Sequence, residues 1–116
     1  MERRFRLTSS IKIQRVRRSG KSYAHPLLVL ILQAGNDPNS KFAVTAGTSI
    51  GNAVQRNRAK RLLRAALGEV LADFPPGYEG ILIARKPLVD ANFSQTITAL
   101  KSLLNQAGIA SSNNNG

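Results

Sequence analysis

The stretch GNAVQRNRAKRLLR (residues 51–64) decides how the rest of this 116-residue chain is arranged. Five cations lie between Arg56 and Arg64, and no acidic residue lies among them. Three of them repeat at i, i+4, where like charges destabilise a free helix by roughly a few tenths of a kcal/mol per pair. The apolar residues share the side that can face a core: Ala59, Leu62, Leu63, Ala66, Leu67 and Val70. The pattern predicts a helix whose polar side is suited to bind phosphate groups.

The charge of the whole chain also indicates a nucleic-acid partner. Seventeen Lys and Arg residues against six Asp and Glu residues give a formal net charge of +11, which is typical of small domains that bind nucleic acid. Hydrophobic residues make up 42% of the chain, enough for one modest core, so a wholly disordered basic tail is excluded. A membrane surface is the weaker alternative, because no long amphipathic helix with aromatic residues on its apolar side is evident.

Several other classes of protein are excluded or disfavoured. The chain has no cysteine, so it contains no disulfide framework, thiol nucleophile or cysteine-based zinc site. The first residues, MERRFR, lack the apolar stretch of a signal peptide. The longest apolar run, residues 27–32, is too short to span a bilayer. We therefore expect a cytoplasmic protein with no membrane partner.

A basic segment precedes the central helix. Residues 1–8 are expected to be irregular, with Phe5 and Leu7 as anchors on the body of the domain. A helix is predicted over residues 10–19, capped by Ser9 or Ser10 and ended by Gly20. Residues 1–25 carry eight cations and one acid. This segment is therefore either a second basic binding surface or a solvated face.

Three apolar segments predict the strands of one sheet. Residues 27–33 predict a central strand that is buried on both faces, although periodicity alone leaves a short buried helix open. After a turn over residues 35–40, residues 41–46 predict its antiparallel partner. Residues 80–85 predict a strand parallel to an earlier one, because a helix separates them.

The remaining segments predict two helix starts and the end of the domain. The central helix is predicted to start at a cap on Asn52 or Ser49 and to run to about residue 72. A last helix is predicted to start at Asp90 or Asn92 and to end at Gly108, because its apolar residues Phe93, Ile97, Leu100 and Leu104 fall at i, i+4, i+7 and i+11. We expect one domain over residues 1–110 and a disordered tail over residues 111–116.

No catalytic constellation is evident. His25 is the only histidine and precedes a proline, where a polar structural role is commoner than that of a general base. The acids are scattered and form no close pair for acid–base or two-metal chemistry. Residues 47–51 are similar to a phosphate-binding turn but lack the Gly-Lys-Ser/Thr ending. We expect nucleic acid to be bound mainly through phosphates, with stacking limited to one or two aromatic residues and with Phe42 in the core.

The string GNAV-x-RNR-x-KR-x-x-R at residues 51–64 resembles the signature of the bacterial ribonuclease P protein component family. Flanking pieces follow in the family's order: RFRL at 4–7, Gly20 after a basic helix, and ILIARK at 81–86. The resemblance implies an α/β two-layer sandwich in the order αβββαβα, like the second domain of ribosomal protein S5. It also implies a mixed sheet whose parallel pair is joined by a left-handed crossover helix, although about 98% of such crossovers are right-handed.

The resemblance also implies a function. The family's protein is a subunit of the ribonucleoprotein ribonuclease P, and it binds the catalytic RNA subunit and the 5′ leader of precursor tRNA. The RNA, with Mg²⁺ bound mainly by the RNA itself, removes the leader endonucleolytically to give the mature 5′ end. The resemblance implies a monomer within a 1:1 protein–RNA complex and no catalytic residues in the protein.

Two sets of site residues follow from the resemblance. Those expected to bind the RNA subunit are Asn52, Arg56, Asn57, Arg58, Lys60, Arg61 and Arg64. Those expected to line the leader-binding cleft are Ile13, Arg17, Ile31, Ser49, Arg85 and Lys86. Family members usually carry Ser-Lys-Lys where this chain has Gly-Thr-Ser at 47–49, and aromatic residues at cleft positions that here are aliphatic or Arg17. We expect the charge of Arg17 to replace stacking.

Two other functional classes stay open on the sequence alone. A ribosomal-type structural protein that binds rRNA would have this charge and size, but it does not account for the string at residues 51–64. A DNA-binding helix-turn-helix protein is a third class, and the strands predicted around the basic helix argue against it.

Overall fold

The computed structural model describes residues 5–71 and 74–109, which form one α/β domain. Its elements are α1 (Ser10–Ser19), β1 (Lys21–Ala24), β2 (Leu28–Ala34), β3 (Lys41–Thr45), α2 (Ala53–Val70), β4 (Tyr78–Ala84) and α3 (Phe93–Gln106). Short 3₁₀ helices, Thr48–Ile50 and Lys86–Asp90, precede α2 and α3. The element order is the one that the resemblance implies. The predicted tail and the outermost residues of the predicted domain lie outside the described residues.

The four strands form one mixed sheet in the order β1-β2-β4-β3. Strand β2 is antiparallel to both β1 and β4, whereas β3 is parallel to β4. The parallel pair is therefore confirmed, with α2 as its connection. The prediction that the strand at 41–46 pairs with the strand at 27–33 is wrong, because β4 lies between them. Strand β4 takes the inner position because it is apolar and buried along almost its whole length.

Strand β1 was not predicted from the residues. Lys21–Ala24 is short, and only Tyr23 is partly buried, so the segment carries no apolar period of its own. Its backbone pairs with β2 from Lys21 opposite Leu32 to Ala24 opposite Val29. An edge strand of this kind depends on its neighbour rather than on its own side chains.

The two faces of the sheet are covered by different helices. Helices α2 and α3 pack on one face against Leu28, Leu30 and Leu82 in the main core. Helix α1 and the segment around Leu7 cover the centre of the other face. A second, smaller cluster lies there and consists of Leu7, Val16, Ile31 and Ile81. The sheet and the α2–α3 layer make the predicted sandwich, and α1 lies across the sheet from them.

Asparagine side chains determine where α2 and α3 begin. The side chain of Asn52 accepts the Gln55 N–H at 2.9 Å, and the Gln55 side chain accepts the Asn52 N–H at 3.0 Å. Asn92 and Gln95 repeat this reciprocal capping box. Asn52 and Asn92 are therefore the caps, rather than Ser49 and Asp90. No helix in the described part of the chain is both long and apolar enough to cross a membrane.

Candidate nucleic-acid interface

The outward side of α2 carries cations that no described residue neutralises. Lys60, Arg61 and Arg64 make no hydrogen bond or ion pair with any residue in 5–71 or 74–109. The sequence contains no acid between Asp37 and Glu69. The inward side is buried as predicted, at Ala59, Leu63, Ala66, Leu67 and Val70. We call the outward group, Asn57, Lys60, Arg61 and Arg64, the α2 basic surface.

Two arginines of the predicted RNA-binding set also stabilise the fold. Arg58 donates from Nη1 to the Val89 carbonyl at 3.0 Å and from Nη2 to the Ala91 carbonyl at 3.4 Å. Arg56 donates from Nη1 to the Gly51 carbonyl at 2.8 Å. Gly51 has a φ of +142°, which side-chain-bearing residues rarely adopt. A guanidinium has five N–H donors, so each arginine keeps donors for phosphate while it fixes the start of α2 or α3.

The parallel strand pair brings three of the predicted leader-binding residues to one edge of the sheet. Thr45 lies opposite Ile83, so the segments that follow β3 and β4 leave the sheet side by side. Ser49, Arg85 and Lys86 are all exposed there. We call this end of the sheet, residues 46–52 and 85–92, the carboxyl edge. Helices α2 and α3 both begin from it.

The other three predicted leader-binding residues lie on the α1 side of the sheet, and one of them is nearly inaccessible. Ile31 is 8% exposed beneath α1. Ile13 is partly buried against the same cluster. Arg17, one turn further along α1, is exposed and has no partner among the described residues.

Sheet residues that the sequence did not single out form the accessible apolar surface beside α1. Val29, Ala43 and Ile83 are partly exposed and pack against the smaller cluster. We call this surface, Ile13, Val29, Ala43 and Ile83, the α1-side strip. Because side chains alternate along a strand, Val29 and Ile31 lie on the same face of β2. Which of the two is covered depends on where α1 packs.

One cation of α1 is neutralised by a buried acid. Arg15 Nη2 lies 2.8 Å from Glu79 Oε1, and the Glu79 side chain is 3% exposed. Gln33 Nε2 donates to the same oxygen at 3.4 Å. The other α1 cations, Lys12, Arg17 and Arg18, make no ion pair with any described residue. Helix α1 is therefore a second basic surface, on the opposite face of the sheet from α2.

The second ion pair of the described residues joins Asp37 to Lys41, and Lys12 of α1 is close enough for its charge to act on the same carboxylate. Asp37 Oδ2 is 3.3 Å from Lys41 Nζ. The Asn39 N–H and, to a smaller extent, Lys41 hold the pKa of the Asp37 carboxyl below its ordinary value. This contact stabilises the turn between β2 and β3.

Most aromatic residues belong to the core. Phe42 is 1% exposed, as predicted, and it contacts Phe74 edge to face at 5.1 Å between ring centroids. Phe74 contacts Tyr78 in the same way at 5.9 Å. Phe93, at the first position of α3, is the most exposed aromatic residue in the described part of the chain, at 41%. The α1-side strip itself contains no aromatic side chain.

The acidic residues and the histidine of the described regions do not converge. No group of three or more His, Asp or Glu side chains is close enough to share a metal ion within residues 5–71 and 74–109. Mg²⁺ prefers carboxylate oxygens and water in an octahedral arrangement. The described residues therefore offer no protein cage for this ion.

Comparisons with known proteins agree with this geometry. The chain matches the family model described as Ribonuclease P over residues 1–108. It is 36% identical to the ribonuclease P protein component of Herpetosiphon aurantiacus, over 92% of this chain and 87% of that protein. It is 31% identical to the component from Oceanobacillus iheyensis, over 99% of this chain and 96% of that protein.

A solved structure of the Staphylococcus aureus RNase P protein has the same fold. The two structures align with a TM-score of 0.77 at 26% identity, over 90% of this chain and 96% of that chain. The family match spans almost the whole sequence, and the fold and the basic helix agree with it. The chain therefore belongs to the family of bacterial ribonuclease P protein components.

Proposed function

We propose that this chain is the protein subunit of a bacterial ribonuclease P ribonucleoprotein. It binds the catalytic RNA subunit and the 5′ leader of precursor tRNA, and it promotes Mg²⁺-dependent endonucleolytic removal of the leader in the cytoplasm. One observation carries the proposal: Lys60, Arg61 and Arg64 lie outside the buried side of α2, exposed or partly exposed, with no partner among the described residues.

The α2 basic surface is the proposed contact with the RNA subunit. Its cations repel one another at helical spacing in the free protein, whereas RNA phosphates would neutralise them and release counterions. Asn57 lies among these cations and offers a neutral amide for hydrogen bonds. Contacts of this kind provide affinity and orientation rather than sequence recognition.

The α1 side is the proposed contact with the leader. Lys12, Arg17 and Arg18 supply positive charge beside the α1-side strip. A single strand exposes both its phosphates and the faces of its bases, so it can use cations and an apolar surface together. Because α1 and α2 lie on opposite faces of the sheet, the leader and the RNA subunit need not compete for one surface.

The protein's proposed contribution is electrostatic. Two RNA molecules must approach each other closely, and a domain with a net charge of +11 lowers their repulsion. Mg²⁺ bound by the RNA supplies activation of water and stabilisation of the leaving oxygen. The residues of this chain bind and orient the two RNAs.

Equilibrium binding of the chain to a bacterial ribonuclease P RNA tests the proposal. Replacing both Arg61 and Arg64 with alanine should weaken binding at least about tenfold, because two phosphate contacts are lost. Lys101→Ala is the matched control, since Lys101 is an exposed cation on α3, outside the α2 basic surface. Equal affinities for the arginine double variant and the control would contradict the proposal.

A further inference from the structure

An open cleft of about 450 Å³ lies next to the carboxyl edge. It is bounded by the turn between β1 and β2, by the 3₁₀ helix before α3, and by the first turns of α3. Its volume falls within the range of about 300–1,000 Å³ that is usual for small-ligand sites. Neither the α2 basic surface nor the α1-side strip includes it.

The lining of the cleft combines an apolar wall with polar groups. Leu27, Pro87 and Ala91 supply aliphatic surface, and Ala91 is buried. His25, Asp90 and Gln95 supply the polar groups. A flat, uncharged ring with polar edges suits this combination, because its face can lie on aliphatic carbon while its edge makes hydrogen bonds.

The local fold determines which hydrogen-bonding atoms remain available. Nδ1 of His25 accepts the Leu27 N–H at 3.0 Å, so the neutral imidazole carries its proton on Nε2 and donates from there. Oε1 of Gln95 accepts the Asn92 N–H at 2.9 Å, which leaves the amide NH₂ as a donor. The Asp90 carboxylate has no partner among the described residues and remains an acceptor.

Charge determines how a nucleotide would be oriented. The Asp90 carboxylate disfavours a phosphate inside the cleft. Arg85 and Lys86 lie just before Pro87 of the lining, and Arg85 Nη1 donates to the His25 carbonyl at 3.3 Å. A ligand with an uncharged ring inside and a phosphate at the rim matches both signs of charge.

We propose that this cleft binds one unpaired nucleotide of an RNA, with the base inside and the phosphate on Arg85 and Lys86. The exocyclic amino group of the base donates to Asp90, so adenine, cytosine or guanine is preferred to uracil, which has no such group. The proposal rests on the proposed function, because it requires that the chain binds RNA. The nucleotide belongs either to the RNA subunit or to the leader.

Titration of the isotope-labelled full chain with cytidine and uridine monophosphates tests the chemistry of the cleft. These two ligands differ at the amino group. Cytidine monophosphate should shift the amide resonances of Leu27, Ala91 and Gln95, and uridine monophosphate should bind about tenfold more weakly. Asp90→Asn should remove that difference. Equal binding of the two nucleotides by the wild-type chain, or shifts confined to Arg61 and Arg64, would overturn the proposal.

A cleft-filling substitution identifies the source of the nucleotide. Ser94→Phe places a ring in the cleft, whereas Ser102→Phe is a control two turns later on α3, and both serines are exposed. Weaker binding of Ser94→Phe to the RNA subunit assigns the nucleotide to that RNA. Weaker binding of the assembled complex to precursor tRNA, with the RNA subunit bound normally, assigns it to the leader.

The outcomes separate this proposal from the proposed function. If Ser94→Phe matches Ser102→Phe in both assays while the Arg61 and Arg64 double variant loses affinity for the RNA subunit, the nucleotide cleft is refuted and the proposed function stands. If the arginine double variant also binds normally, the proposed function fails on its own test.

Discussion

The guanidinium of Arg15 lies 2.8 Å from the carboxylate of Glu79 and joins α1 to the inner strand β4. The Glu79 side chain is 3% exposed, whereas that of Arg15 is 48% exposed. The buried carboxylate faces the side on which we propose that the leader binds, and without a cation it would repel phosphate. The ion pair therefore makes that side compatible with RNA.

Removal of this cation should lower the stability of the domain. Arg15→Met should reduce the free energy of unfolding by about 1–2 kcal/mol, less than the roughly 3–5 kcal/mol for a fully buried pair, because Arg15 is half exposed. The double variant with Glu79→Gln should recover part of that loss, since no unpaired charge remains. Urea unfolding of the wild type, the Arg15→Met and Glu79→Gln single variants and the double variant at neutral pH measures both effects. An Arg15→Met protein as stable as the wild type would show that the pair has no structural role.

Arg58 and Arg61 should behave differently although they lie one turn apart. Arg58→Ala removes hydrogen bonds to the Val89 and Ala91 carbonyls, so it should cost about 1 kcal/mol of stability as well as affinity for the RNA subunit. Arg61→Ala should reduce affinity but change stability by less than about 0.5 kcal/mol. Thermal unfolding and RNA binding, measured on the same preparations, separate the two effects. Equal stabilities of the Arg58→Ala and Arg61→Ala proteins would refute the structural role of Arg58.

Binding to the RNA subunit should depend steeply on salt. If roughly six phosphates are contacted, affinity should fall about a thousandfold between 50 and 200 mM monovalent salt. Arg64→Ala should reduce the slope of log affinity against log salt concentration by about one. A wild-type slope near zero would show that the basic surfaces do not bind RNA.

Substitutions on the α1 side should selectively weaken binding of the leader. Arg17→Ala and Val29→Ala should reduce the preference of the assembled complex for precursor over mature tRNA, with little change in affinity for the RNA subunit. Ile31→Ala should instead destabilise the domain by about 2 kcal/mol or more, because Ile31 is 8% exposed beneath α1. Comparison of precursor and mature tRNA affinities measures the preference. An unchanged preference in both Arg17→Ala and Val29→Ala would refute the assignment of the leader to this side.

The elements that local sequence specifies were predicted well. The apolar side of α2 and the caps of α1 and α2 depend on residues within a few positions of each other, such as Asn52 and Gln55. The sheet order was not predicted, because the pairing of β4 with both β2 and β3 depends on contacts far apart in sequence. Strand β1 was not predicted from the residues for a different reason: it pairs with the neighbouring strand β2, but its side chains are mostly exposed and show no apolar period.

In the candidate site, too, local features were predicted from the sequence and features that depend on long-range contacts were not. The sequence identified the cations of α2, but it did not show that Arg58 also binds the carbonyls of Val89 and Ala91, more than 30 positions away. It placed Ile31 in the leader cleft, whereas the position of α1 leaves Val29 and Ile83 as the more accessible residues. These assignments depend on tertiary contacts, which a local sequence pattern does not reveal.

Stimulation of RNA catalysis tests the central claim most directly. With a bacterial ribonuclease P RNA at low Mg²⁺ concentration, this chain should increase the rate at which precursor tRNA is cleaved at its mature 5′ end. The Arg61 and Arg64 double alanine variant should stimulate much less, and Lys101→Ala should stimulate as the wild type does. If the wild-type chain fails to increase cleavage, the proposed function is wrong.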